Sequence, residues 1–134
     1  MALEKIEKKG ELLAFVVRNS NFPEGAHFVS EENHSFQIGF HHRRKGYRYK
    51  RHITLQFSKV KDFNPNKVYY VQEGRLMIRI SDEKGDPVST VELNKGDLIC
   101  FISGAHDVEM AEDARFIEIK QGPYRGEQDK RFLE

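Results

Sequence analysis

The 134 residues carry 22 Lys and Arg against 21 Asp and Glu, a formal charge of +1 at pH 7, and 38% of them are hydrophobic. A chain of this size buries one core without staples, and ten Phe with five Tyr exclude a disordered polymer. A single cysteine excludes a disulfide framework, an isoelectric point near 7.9 argues against nucleic acid as a partner, and no apolar run approaches the roughly 20 residues that span a bilayer.

The segment Met1–Lys9 is charged and lacks a signal-peptide core, so the expected compartment is the cytoplasm, without membrane. Leu12–Arg18 is the first apolar, β-branched run, and Pro23-Glu-Gly25 marks a turn. Phe36–Phe40 is expected as a strand, and Gly46 punctuates before Tyr47–Phe57. In that stretch Tyr47, Tyr49, Ile53, Leu55 and Phe57, with Arg51 the exception, alternate with Arg48, Lys50, His52, Thr54 and Gln56, which predicts a strand with its odd face in a core and its polar face either lining a wet cavity or leaving His52 exposed. Asp62–Asn66 is a loop. Lys67–Gln72 and Arg75–Ser81 form a hairpin about Glu73-Gly74, and Asp82–Pro87 turns into Val88–Leu93.

Asn94–Asp97 turns again into Leu98–Ile102, whose unbroken apolar character, Cys100 included, predicts burial on both faces. After the turn Ser103–Ala105, Phe116–Lys120 is the last strand, and a polar tail follows in which Phe132 and Leu133 dock back. Eight or nine short strands with Gly- and Pro-bearing turns predict an all-β jelly roll or barrel. The expected organisation is one domain, 1–134, with N-terminal strands at 1–35, a barrel core at 36–124 and a tail at 125–134.

Two spacings carry a resemblance. Gly46 precedes His52 by six positions, Thr54 follows two later, and Lys67 lies seven before Gly74. Gly96 stands ahead of His106, with Met110 four beyond. This resembles the cupin superfamily, whose motifs G-x5-HxH-…-E-x6-G and G-x5-P-x-G-x2-H-x3-N deliver metal ligands into a small β-barrel. Against that pattern Thr54 replaces a His, Lys67 replaces the Glu, the proline is absent and Met110 replaces the Asn. The resemblance covers residues 36–124. The ending Glu118-Ile-Lys-Gln-Gly-Pro-Tyr124 is similar to a subgroup of small bacterial cupins found with surface-polysaccharide genes.

The resemblance implies His52 and His106 as metal ligands, yet Thr is a weak donor and an ammonium at Lys67 repels a cation. One of His41 and His42, which face opposite ways in a strand, would complete a three-histidine set, or else both are ordinary surface or interface histidines. The cofactor expected is therefore none, or a weakly held Zn, Mn, Fe or Ni ion. A metal-free reading uses His52 and His106 as acid and base, Lys67 as electrostatic stabiliser and Tyr69 or Tyr49 as a proton relay. Arg43, Arg44 and Arg48, in a segment crowded with cations, would grip the phosphates of a nucleotide sugar beside Thr54, or else blunt a sheet edge. The expected function is sugar isomerase or epimerase chemistry, with a non-catalytic ligand-binding barrel as the alternative. Open jelly-roll edges predict a homodimer.

Overall fold

The computed structural model describes residues 3–18, 23–52, 54, 55, 57, 63–123 and 125–133. Among the described residues ten strands form three antiparallel sheets: β1 (Leu3–Lys8), β2 (Glu11–Val17), β3 (Gly25–Phe28), β4 (Gly39–His42), β5 (Lys67–Glu73), β6 (Leu76–Ser81), β7 (Pro87–Leu93), β8 (Leu98–Phe101), β9 (Ala105–Met110) and β10 (Arg115–Lys120). The largest sheet runs β1-β2-β8-β5-β10, a second runs β7-β6-β9, and β3 pairs with β4 alone. Among the described residues no helix is long and apolar enough to cross a membrane.

The main core lies between the five-stranded and three-stranded sheets. Period-2 alternation puts Leu76, Ile78 and Ile80 of β6 against Leu13, Val16, Val71 and Ile99 of the large sheet, all essentially inaccessible to water. Each such side chain contributes about 1.5–3 kcal/mol through burial. The other face of the large sheet carries Phe15, Val17, Val68 and Cys100, packed under Val29, Phe36, Ile38 and Phe40 from the β3–β4 layer. β8 is thus buried on both faces, as its unbroken apolar run predicts.

Buried polar groups fasten these layers. Asp97, only 4% exposed, accepts from the Arg18 guanidinium at 2.9 Å and the Asn94 N–H at 2.8 Å, while Arg18 also donates to the Glu92 carbonyl at 2.6 Å. Buried Asn66 accepts from the Phe36 N–H at 3.1 Å, and its carbonyl accepts from the Gln121 N–H at 3.1 Å. That one residue ties the β3–β4 layer, the start of β5 and the end of β10 together.

Three strands escaped prediction, and the expected strand Tyr47–Phe57 shows no ladder over its described residues 47–52, 54, 55 and 57, with positions 53 and 56 outside the described residues. β1 falls in the charged terminus, β3 starts on the last residue of the Pro23–Gly25 turn, and β9 starts on the last residue of the Ser103–Ala105 turn and runs through residues assigned to no element. Phe36–Phe40 is strand only from Gly39, and the pairing continues to His42. The described part of Tyr47–Phe57 pairs with nothing in a ladder, and its apolar side chains stay in water: Tyr47 is 54%, Tyr49 48%, Leu55 82% and Phe57 79% exposed. Alternation makes a strand only where a neighbouring backbone supplies the hydrogen bonds. In the tail, Leu133 reaches the β6–β7 turn at Gly85, but Phe132 remains 78% exposed.

Candidate functional site

β5, β8, β9 and β10 converge on one set of side chains. Lys67, Tyr69 and Val71 alternate onto the inner face of the large sheet, and the register sets Glu118 of β10 opposite Tyr69 and Phe116 opposite Val71. β9 pairs with β6 so that His106 lies opposite Ile80 and Val108 opposite Ile78, both on the inward row. The His106 ring stacks on Phe101, with centroids 3.9 Å apart and planes 13° from parallel. Tyr69 meets His106 edge-on at 6.3 Å and packs on Phe101 at 5.3 Å and Phe116 at 5.1 Å. The Lys67 ammonium stands 3.6 Å from the Glu118 carboxylate.

Electrostatics follow from this placement. Burial, reinforced by the positive charge of Lys67, pushes the His106 pKa down to about 4, against the opposing pull of Glu118 and Asp107. The imidazole is therefore neutral at pH 7. Burial first, and the Glu118 charge second, push the Tyr69 phenol up to about 12, so it keeps its proton. The Cys100 thiol, raised to about 12 by burial alone, is chemically quiet.

Of the residues singled out by sequence, His106, Lys67 and Tyr69 come together. His52 is exposed, and its Nδ1 lies 2.7 Å from the Lys50 carbonyl; Thr54 is exposed as well. Arg43 lies over the Tyr47 ring at 4.1 Å and donates to the Tyr49 hydroxyl at 2.9 Å, Arg44 pairs with Glu24 at 3.2 Å, and Arg48 is exposed. His41 shares a 2.8 Å hydrogen bond with Tyr49, and His42 on the same strand is exposed. No described contact joins these residues to His106. Glu118 is the member that sequence reasoning missed. Its signal is an acid on the inner row of β10, two residues from Phe116.

A divalent ion does not fit the described residues. No group of three or more His, Cys, Asp and Glu side chains among them is arranged to hold one, and the charge felt most strongly by His106 is the cation of Lys67. Set against known proteins, the chain matches no family model, no curated protein and no solved structure.

Proposed function

We propose that this protein binds a small polar ligand of sugar type at the His106 site and moves a proton on it, as an isomerase or epimerase does, within a cupin-like jelly roll. The observation that carries the reading is the meeting of four unlike groups on one face of the large sheet: buried Tyr69, largely covered His106 and Lys67, and Glu118 at the solvent-open edge. The antiparallel two-sheet sandwich, with the short connection from β9 to β10 bridging its sheets, supports the jelly-roll architecture.

Chemically, each group has a task. Glu118 takes the proton from the carbon beside a sugar carbonyl, and the electron pair moves onto the carbonyl oxygen as an enolate. Lys67 stabilises that oxyanion. Tyr69, protonated at neutral pH, returns a proton to the carbon and recovers one through Glu118. Neutral His106 orients a ligand hydroxyl by hydrogen bonding. A second reading, a binding barrel without catalysis, is favoured by the exposed position of His52, outside any such constellation.

Deuterium exchange into keto-sugar phosphates such as fructose 6-phosphate, and into nucleotide-linked keto sugars, distinguishes the two by NMR in D2O. Exchange at the carbon next to the carbonyl, falling about 10²-fold or more in Glu118→Gln with binding retained, is the expected result. Binding without exchange selects the non-catalytic barrel. Neither binding nor exchange across the panel overturns both readings.

A further inference from the structure

Among the described residues the two facing sheets end in the edge strands β1, β10, β7 and β9. β1 is guarded by Glu4, Lys5, Glu7 and Lys8, β7 opens on Pro87, which has no N–H to offer, and β9 exposes Asp107 and Glu109, both tied to Arg79. β10 is different. All of it but Phe116 is exposed, and its outer face carries Ile117 and Ile119, the latter 55% accessible. Register sets Ile117 opposite exposed Tyr70 and Ile119 opposite Val68, so an apolar strip runs on beyond the area that the β3–β4 layer covers.

The ladder to β5 fixes which backbone groups face outward. The Gln121 N–H donates to the Asn66 carbonyl at 3.1 Å, and bonded pairs alternate along an antiparallel ladder, so Ile119 and Ile117 are the residues bonded to β5. The N–H and C=O of Glu118 and of Lys120 therefore point out of the sheet. The strand is also complementary to itself. Laid antiparallel to a second β10 with Ile119 on a two-fold axis, Glu118 faces the partner's Lys120 on the inner side, and the two copies of Ile119 meet on the outer side. Opposite charges and β-branched pairs directly across a ladder both stabilise it. Glu118 already stands 3.6 Å from Lys67, and Lys120 3.0 Å from Asp129, so charges alternate in sign along the joined edge. Moving the axis to Glu118 would set two carboxylates face to face.

We propose that β10 is the contact edge of a homodimer, in which two copies join their large sheets with β10 antiparallel to β10 about an axis at Ile119. The pairing does not depend on the reaction assigned to the His106 site, yet it brings the partner's Lys120 beside Glu118 of that site. An extended segment of another protein would meet the same backbone groups, but a second copy is the occupant whose charges and isoleucine match.

Sedimentation equilibrium over about 5 to 500 μM is expected to show monomer and dimer in reversible exchange, with Ile119→Lys, which sets two ammonium groups together at the axis, a folded monomer throughout. Cysteine cross-linking reads the register. Ile119 faces its own copy in a non-hydrogen-bonded pair, with α-carbons about 4.5 Å apart and within disulfide reach. Ile117 is offset from its own copy by roughly 13 Å along the strand, which no disulfide spans. Ile119→Cys should therefore form a disulfide-linked dimer in a glutathione buffer at least tenfold faster than Ile117→Cys, while buried Cys100 takes no part. A wild-type monomer over the whole concentration range overturns the proposal and leaves the edge to a different protein. So does a dimer that survives Ile119→Lys, or cross-linking of Ile117→Cys that equals or outruns that of Ile119→Cys.

Discussion

His106 sits on a strand that nothing pairs with on its outer side among the described residues, yet its ring is largely removed from water between Phe101 and Tyr69. That burial has a consequence for stability. The folded pKa of about 4 lies below the ordinary histidine value of 6.5, so between those limits the unfolded chain binds the proton more readily than the folded one. The stabilising contribution is complete above about pH 6.5 and is lost as pH falls through 4. Its size is on the order of 3 kcal/mol, the free energy of the fall from 6.5 to about 4, with Lys67, Glu118, Asp107 and Lys130 all within electrostatic reach. Urea unfolding between pH 7 and 4 checks this: His106→Leu is expected to flatten the acid limb relative to wild type, and parallel curves for the two proteins contradict it. Sequence spacing led to His106 and Lys67 because each falls at a countable distance from a turn glycine, whereas Tyr69 entered only as one of two candidate proton relays. It could not lead to the separation of His52 from them, which depends on whether a strand forms around residue 52. Glu118 was hidden for another reason: it is a solvent-exposed acid on an edge strand, and only the register, which sets it opposite Tyr69, ties it to the site.

Element by element, what was legible was what the core enforces. β2, β5, β6, β7, β8 and β10 announce themselves by apolar runs or strict alternation, since one or both of their faces are buried. β1 keeps only Ile6 buried in a charged strand, and β9 alternates His106 and Val108 with Asp107 and Glu109, so neither carries enough apolar weight to be read. Turns were the more reliable signal, and two of them make a measurable contrast. Gly74, between β5 and β6, has φ +83°, and a β-carbon there would come within 2.2 Å of the Asp113 carbonyl oxygen. Gly10, between β1 and β2, has φ +81° with open space around it. Gly10→Ala therefore carries only the left-handed strain, about 1–2 kcal/mol, whereas Gly74→Ala adds a backbone clash and is expected to cost more than about 3 kcal/mol. Equal urea midpoints for the two variants would show that the β9–β10 connection yields to the added carbon.

At the scale of the molecule, the two cores are unequal partners. The two facing sheets are linked by hydrophobic contacts and by Arg18 at the end of β2, which donates to the Glu92 carbonyl of β7 at 2.6 Å while pairing with Asp97 beside β8. Among the described residues the β3–β4 layer shares no strand ladder with either sheet, and it rests on the large one through partly buried Val29, Phe36, Ile38 and Phe40. Its firm polar anchor is the bond from the Phe36 N–H to Asn66, joined by that from the Ser35 hydroxyl to the Asn64 carbonyl at 2.9 Å. A layer with half-exposed apolar contacts and few shared backbone bonds opens at lower free energy than the core it covers. Native-state hydrogen exchange should find the amides of Gly25–Phe28 and Gly39–His42 exchanging through a sub-global opening, while Val16, Ile78 and Ile99 exchange only on global unfolding. Asn66→Ala strips the anchor and should lower the β3–β4 opening energy by about 1–2 kcal/mol more than it lowers global stability. If the hairpin amides instead follow the sheet amides in both proteins, the Asn66 anchor and the buried Phe15, Val17, Val68 and Cys100 face bind the layers into one cooperative unit, and the β3–β4 layer cannot move independently of the site end of β5.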